Sequence, residues 1–218
     1  MGSSLPVVAY PSDPDFLVLH ALRLKGFAED AVIAGITGLD VDEVGKRLQG
    51  LADAEQVLRR DGRVSGWSLT PSGRQRHTED IAAELNASGA RDTVKSSYER
   101  FLELNQNMLA VCTSWQLRDV DGAQAINDHS DADYDAGVIQ QLVGIHDRVR
   151  PITVELRDVL ERFGGYGTRL RGALEKVTTG QHEWFTKPVI DSYHTIWFEM
   201  HEDLLCTLGI ERSSEAHA

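Results

Sequence analysis

The chain has 218 residues, 41% of them apolar, and a formal net charge of −12. That length suits one large domain or two small ones with a real core, and no apolar run approaches the roughly 20 residues of a membrane span. The N-terminus lacks the basic-then-apolar layout of a secretory signal, and the two cysteines, Cys112 and Cys206, sit in apolar helical patterns without CxxC spacing, which reads as buried thiols in a reducing cytoplasm.

The charge is uneven. Residues 1–95 hold 11 Lys/Arg against 14 Asp/Glu, whereas the remainder holds 11 against 20. Within 44–78, Lys46, Arg47, Arg59, Arg60, Arg63, Arg74 and Arg76 face only Asp53, Glu55 and Asp61, a local balance of +4. In chain order, residues 1–12 read as a loose arm. Asp13 followed by Pro14 is a helix start, and that helix ends at Gly26. A short helix over 29–36 and a turn at 35–39 follow. Asp40 and Glu43 form a capping-box-like start, and Val41, Val44, Leu48 and Leu51 recur at helical spacing on a buried face. Asp42, Lys46, Arg47, Gln49 and Gly50 face outward. Residues 57–60 and 64–69 flank Asp61-Gly62, a tight-hairpin dipeptide, with Trp67 and Leu69 pointing inward. Pro71 opens another helix that reaches about Leu85 and ends in 86–89.

Helix, turn, helix and basic hairpin in this order are the outline of a winged helix-turn-helix. Gly38-Leu39-Asp40, Val44, Leu48, Leu51, the hairpin and then Trp67-Ser68-Leu69-Thr70-Pro71-Ser72-Gly73-Arg74 resemble bacterial winged-helix regulators of the MarR-like and PadR-like kind, over about residues 13–85. The resemblance implies a recognition helix at 41–51 and a wing at 59–67, with double-stranded DNA as partner. Lys46, Arg47, Gln49, Arg59, Arg60, Arg63, Arg74 and Arg76 are the expected phosphate and groove contacts; the competing reading is a solvated positive face that balances the acidic remainder in cis. Asp42 and Glu43 depart from the family role, because carboxylates at the start of a recognition helix repel phosphates.

From Asp92 onward the pattern is helical. Tyr98, Phe101, Asn105, Met108, Cys112 and Trp115 form one heptad-like stripe, and Val138, Leu142, Ile145, Val149, Ile152, Leu156, Val159 and Phe163 form another, with a kink or break expected at Pro151. A shorter helix carries Leu170, Leu174 and Val177, and Lys187-Pro188 starts a last one. The expected fold is therefore mostly α: a loose arm at 1–12, a winged helix with a small β-wing at 13–89, and an all-α antiparallel bundle at 90–218 for dimerisation or sensing.

The last segment gathers His182, Trp184, Phe185, Tyr193, His194, Trp197, Phe198, His201 and Glu202. The preferred reading is a bundle flank in which imidazoles pair with carboxylates. A small-molecule pocket built from Trp115, Tyr193, His194, Trp197 and His201 is the second reading. A metal is the third, disfavoured because His194 and His201 stand seven residues apart, roughly 10 Å along a helix. Asp128, Asp131, Asp133 and Asp135 fail as a calcium loop, since counting from Asp131 puts Ala136 at position six and Leu142 at position twelve; they read as an acidic helix cap. Asn105 reads as a register-setting polar residue or a partner of a neighbouring backbone group. Gly164-Gly165-Tyr166-Gly167 has neither a preceding strand nor a following GK[ST], and no GxSxG serine occurs, so no enzyme, metal or cofactor is expected.

These residues lead to the expectation of a cytoplasmic, homodimeric DNA-binding transcriptional regulator that answers to a small-molecule effector and has no membrane partner. The alternative is a winged helix reused for protein contact. Asp191-Ser192-Tyr193-His194-Thr195-Ile196-Trp197-Phe198-Glu199-Met200-His201-Glu202-Asp203-Leu204-Leu205 is similar to segments that accompany phosphoenolpyruvate-utilising dikinase proteins, which makes such an enzyme a partner under that alternative.

Overall fold

A computed structural model describes residues 8–120 and 122–212. Among them are α1 (Pro14–Lys25), α2 (Asp30–Thr37), α3 (Val41–Asp53), β1 (Val57–Arg60), β2 (Gly66–Leu69), α4 (Pro71–Ser88), α5 (Arg91–Gln116), β3 (Leu117–Val120), β4 (Ala123–Ile126), α6 (Ala132–Val159), α7 (Gly164–Thr178) and α8 (Tyr193–Leu208). The described residues are mostly α-helical, with two antiparallel two-stranded sheets. No helix of the described residues is long and apolar enough to cross a membrane.

The chain forms two compact units. In described residues, the first takes 8–94, 157–165 and 202–212, and the second takes 95–156 and 166–201. The unit that contains 13–89 thus also recruits two short stretches from far along the chain.

In the first unit, local signals set the element ends. Asp13 Oδ1 accepts from the backbone N–H groups of Asp15 and Phe16, Asp40 caps α3 through Asp42 N–H, and Thr70 caps α4 through Gly73 N–H. Gly38 and Gly89 end α2 and α4 in the left-handed region. Val18, Leu19, Leu22, Ile33, Val44, Leu48, Leu51, Val57, Trp67 and Leu69 make one buried cluster. The hairpin pairs Val57 with Leu69 and Arg60 with Gly66, so its loop is the five residues 61–65 and not a two-residue Asp61-Gly62 turn. Gly66 closes this pairing at a tight approach: a Cβ there would stand 2.8 Å from the Phe27 ring and 2.9 Å from the Ala28 carbonyl oxygen. Ala28 itself adds a one-residue bridge to Trp67, with N···O distances of 3.1 and 2.8 Å.

The arm expected at 1–12 is partly tied down. Residues 1–7 lie outside the described set, but Tyr10 bridges to Leu160, with hydrogen bonds to Val159 and from Glu161 of 3.0 Å each.

The recruited stretches meet the first unit in a buried ionic network. Arg162 donates from Nε to Glu84 Oε2 at 2.7 Å, from one terminal nitrogen to Asp203 and from the other to Thr207 Oγ1 at 2.7 Å. His20 Nε2 lies 3.1 Å from Asp203, and His20 Nδ1 lies 2.9 Å from His77 Nε2, with the two imidazoles stacked. Burial raises the Asp203 pKa, but the Arg162 charge and His20 outweigh it and hold the carboxyl well below the usual range.

The second unit corrects three expectations and bears out another. It is not all-α: β3 and β4 form a hairpin in which Leu117 pairs with Ile126 and Val120 with Ala123, and every β4 residue is exposed. Nor does Pro151 break α6, which is continuous because Pro151 and Asp147, four residues earlier, both lie on the exposed side where water can serve the freed carbonyl. Asp131 does cap α6, accepting from Tyr134 N–H at 3.0 Å. The last helix begins at Tyr193 and not at Pro188; Ser192 Oγ accepts from Thr195 N–H at 3.3 Å and supplies its start.

Candidate nucleic-acid interface

The eight residues expected to touch DNA all fall in the first unit, on α3, the β1–β2 hairpin and the first turns of α4. Their chemistry divides them into two groups. Arg47 is fully engaged: Nη1 donates to Asp15 Oδ1 at 2.7 Å, while Nε and Nη2 both reach Glu43 Oε1, at 3.0 and 2.7 Å. The hydrogen bond it donates to Asp15, then that to Glu43, raises its pKa above the ordinary arginine value. Gln49 donates to Asp53 at 2.9 Å, Arg59 to Asp61 at 3.0 Å and Arg76 to Asp80 at 2.6 Å. The Arg59 guanidinium also lies 5.5 Å from the centre of the Trp67 ring.

The other four are different. Lys46, Arg60, Arg63 and Arg74 are exposed and make no ion pair among the described residues. Arg60 and Arg63 stand at the hairpin loop, Arg74 in the first turn of α4 and Lys46 on the outward face of α3. Beside Lys46 runs an open groove of about 510 Å³, lined by Asp15, Glu43, Arg47, Gln56 and Arg76 among others.

The side-chain pairings that hold the first group were not foreseen, although most of the signal was present. Glu43–Arg47, Gln49–Asp53 and Arg76–Asp80 are i,i+4 pairs, the spacing at which helical side chains meet. The +4 balance came from a window, 44–78, that stopped just short of Glu43, Glu79 and Asp80; widening it to 43–80 leaves +1. Asp15 had no such signal, because it comes from another helix.

A second groove of about 440 Å³ is lined by Tyr10, Ser12, Asp13, Phe16, Asp80 and Glu84 among others. Its acids are already committed: Asp13 caps α1, Asp80 holds Arg76, and Glu84 holds Arg162 and Ser12.

Trp115, Tyr193, His194, Trp197 and His201 belong to the second unit. Trp197 stacks on Phe101 at 4.5 Å and donates its indole N–H to Asn105 at 2.9 Å, while His201 tilts against Phe101 at 5.4 Å. Asn105 therefore serves a buried indole. The Tyr193 hydroxyl meets His146 Nδ1 at 3.3 Å, and burial lowers the pKa of both His146 and His194. Trp115 keeps a separate set of neighbours, His129, His182 and Phe185. His129 is held by the buried Asp135, Nδ1 to Oδ2 at 2.9 Å, and the same carboxylate accepts from Asn127 at 2.8 Å. His129–Asp135 and His20–Asp203 are imidazole–carboxylate pairs; the first precedes the last helix and the second joins it to α1.

Among the described residues, no group of three or more His, Cys, Asp or Glu is arranged to hold a metal ion. The two thiols are free, with Cys112 pushed up to about 12 and Cys206 to about 11, chiefly by burial, so both are poor nucleophiles. Comparison of the chain with protein-family models, curated proteins and solved structures finds no match.

Proposed function

We propose that the first unit is a winged helix that grips duplex DNA, with α3 as recognition helix and the β1–β2 hairpin as wing, in a regulator whose second unit serves dimerisation or effector sensing. What carries the reading is the placement of Arg60, Arg63, Arg74 and Lys46: four exposed cations without an acidic partner among the described residues, on the hairpin, the α4 start and α3, where this architecture meets phosphates. The element order, with the Ala28 bridge extending the hairpin, agrees with it. The overall charge does not oppose it strongly, because residues 96–218 hold most of the excess acid.

The test is fluorescence anisotropy with the duplex upstream of the protein's own gene and with a random duplex, at 50 and 200 mM salt. Binding should be salt-dependent, and Arg60→Ala with Arg63→Ala should weaken it on both duplexes and flatten the salt slope by about 1.8, roughly 0.9 for each phosphate no longer neutralised. Absence of binding at 50 mM salt removes the reading.

A second reading has its own observation. Asp15, Glu43, Asp53, Asp61 and Asp80 occupy half of the eight polar side chains, which suits a surface that meets protein. Complexes that survive nuclease treatment would favour it.

A further inference from the structure

We propose that Asp15 and Glu43 are built-in competitors of the DNA phosphates for Arg47, so that the chain takes hold of duplex DNA hairpin-first, through Arg60, Arg63, Arg74 and Lys46. This rests on the DNA-binding reading and deepens it by naming how the same surface is regulated.

The geometry is that of an occupied anion site. A guanidinium recognises carboxylate and phosphate with the same fork of N–H donors. In Arg47 that fork is filled from two directions, by Asp15 of α1 and by Glu43 one turn earlier on α3. The three side chains are only partly shielded, at 28%, 41% and 43% exposure, so water and a phosphate oxygen reach the same atoms. The pairing also brings two negative charges to the groove beside Lys46, where they repel an approaching backbone. On the same helix the Gln49 amide is turned to Asp53, which leaves α3 with no free polar fork for a base edge. Arg60, Arg63, Arg74 and Lys46 carry no such restraint. Contacts of this kind neutralise phosphates and do not read sequence.

The distinction is measurable as a salt slope. Each phosphate neutralised contributes about 0.9 to the dependence of log K on log salt, so four free cations predict a slope near −3.6 and seven engaged ones near −6.3. The experiment is an anisotropy titration on a random 20-base-pair duplex between 50 and 200 mM salt, with the full chain. Variant Asp15→Asn/Glu43→Gln keeps side-chain size and releases Arg47; it should bind on the order of tenfold tighter at 50 mM salt and steepen the slope by about 0.9. Adding Arg47→Ala to that pair should abolish the extra slope and most of the gain, which separates release of Arg47 from the mere removal of two negative charges. Circular dichroism melting of all three chains establishes that each is folded.

An unchanged slope in the double variant, or a gain that persists without Arg47, overturns the competitor role while leaving the DNA reading standing. Binding by the double variant alone, with none by the natural chain, overturns hairpin-first capture, because the four free cations would then not suffice to hold DNA. Binding by neither overturns the DNA reading and this inference together.

Discussion

Arg162 Nε donates to Glu84 Oε2 at 2.7 Å although the two residues are 78 positions apart, and their side chains are only 2% and 5% exposed. The same guanidinium holds Asp203 and Thr207, and its central carbon lies 4.5 Å from the centre of the Phe163 ring. One arginine thereby joins α4, the 160s segment and the end of α8 within the first unit. Desolvation disfavours its charge, but Asp203 and then Glu84 raise its pKa overall, so it stays ionised.

Replacing Arg162 by alanine leaves Glu84 and Asp203 buried without their cation. A buried pair broken from one side costs about 3–5 kcal/mol, and that is the destabilisation expected for Arg162→Ala in urea unfolding. Arg162→Lys should recover little of it, because a single ammonium cannot reach Glu84, Asp203 and Thr207 in the directions the planar fork supplies. A destabilisation below about 1 kcal/mol for Arg162→Ala would show the network to be dispensable.

Acid should unfold the first unit through His77. Burial, then the charge of His20, lowers its pKa from 6.5 to about 3. In the unfolded chain the imidazole takes a proton below about pH 6.5, whereas in the fold it stays neutral until about pH 3. The unfolded state therefore binds more protons across that window, and stability falls as the pH drops through it, by about 1.4 kcal/mol per unit from this group. Asp203 adds a later decrease, below the ordinary carboxylate value of 3.8, because its folded pKa is depressed. Urea midpoints at pH 7, 5.5 and 4.5 check the slope, and the imidazole proton shifts of His77 in NMR should stay at their neutral values down to pH 4.5.

Two glycines should respond in opposite ways. A Cβ on Gly73 would stand 1.9 Å from the Gln56 carbonyl oxygen, a backbone atom held by Thr70 N–H, so Gly73→Ala must separate the hairpin from α4. The cost should exceed the roughly 1–3 kcal/mol of ordinary overpacking. Gly50, in α3, meets nothing within 4 Å and has a helical backbone, so Gly50→Ala should stabilise by about 0.5–1 kcal/mol. Melting temperatures of the two variants should move apart.

In the second unit, Asn105→Leu should cost about 1–3 kcal/mol, since it strands the Trp197 indole N–H in a site where the residue is 2% exposed. Tryptophan fluorescence, followed through urea unfolding, reads both the stability and the change around the indole.

Much of the first unit was legible because its instructions are short-range. Asp13 with Pro14, Gly26, Gly38, Thr70 with Pro71, and Gly89 each act on backbone groups within about four residues, and each marks an element end. The buried faces of α3 and β2 follow from spacing alone. The β3–β4 hairpin was missed although the Asp121-Gly122 dipeptide between the strands is the same kind of signal as Asp61-Gly62; every β4 residue is exposed, so no buried face reinforced it. Of the eight polar residues assigned to the interface, the positions were readable but the partners were read only as a charge count.

Local chemistry along the chain thus determined where the helices start and stop, which faces turn inward, and where positive charge collects. Folding decided which charges remain available. Asp15 reaches Arg47 from another helix, and His20, Glu84, Arg162 and Asp203 converge from segments up to 183 positions apart. Such pairings depend on which groups lose water together, and that is a property of the packed unit, not of any window of sequence.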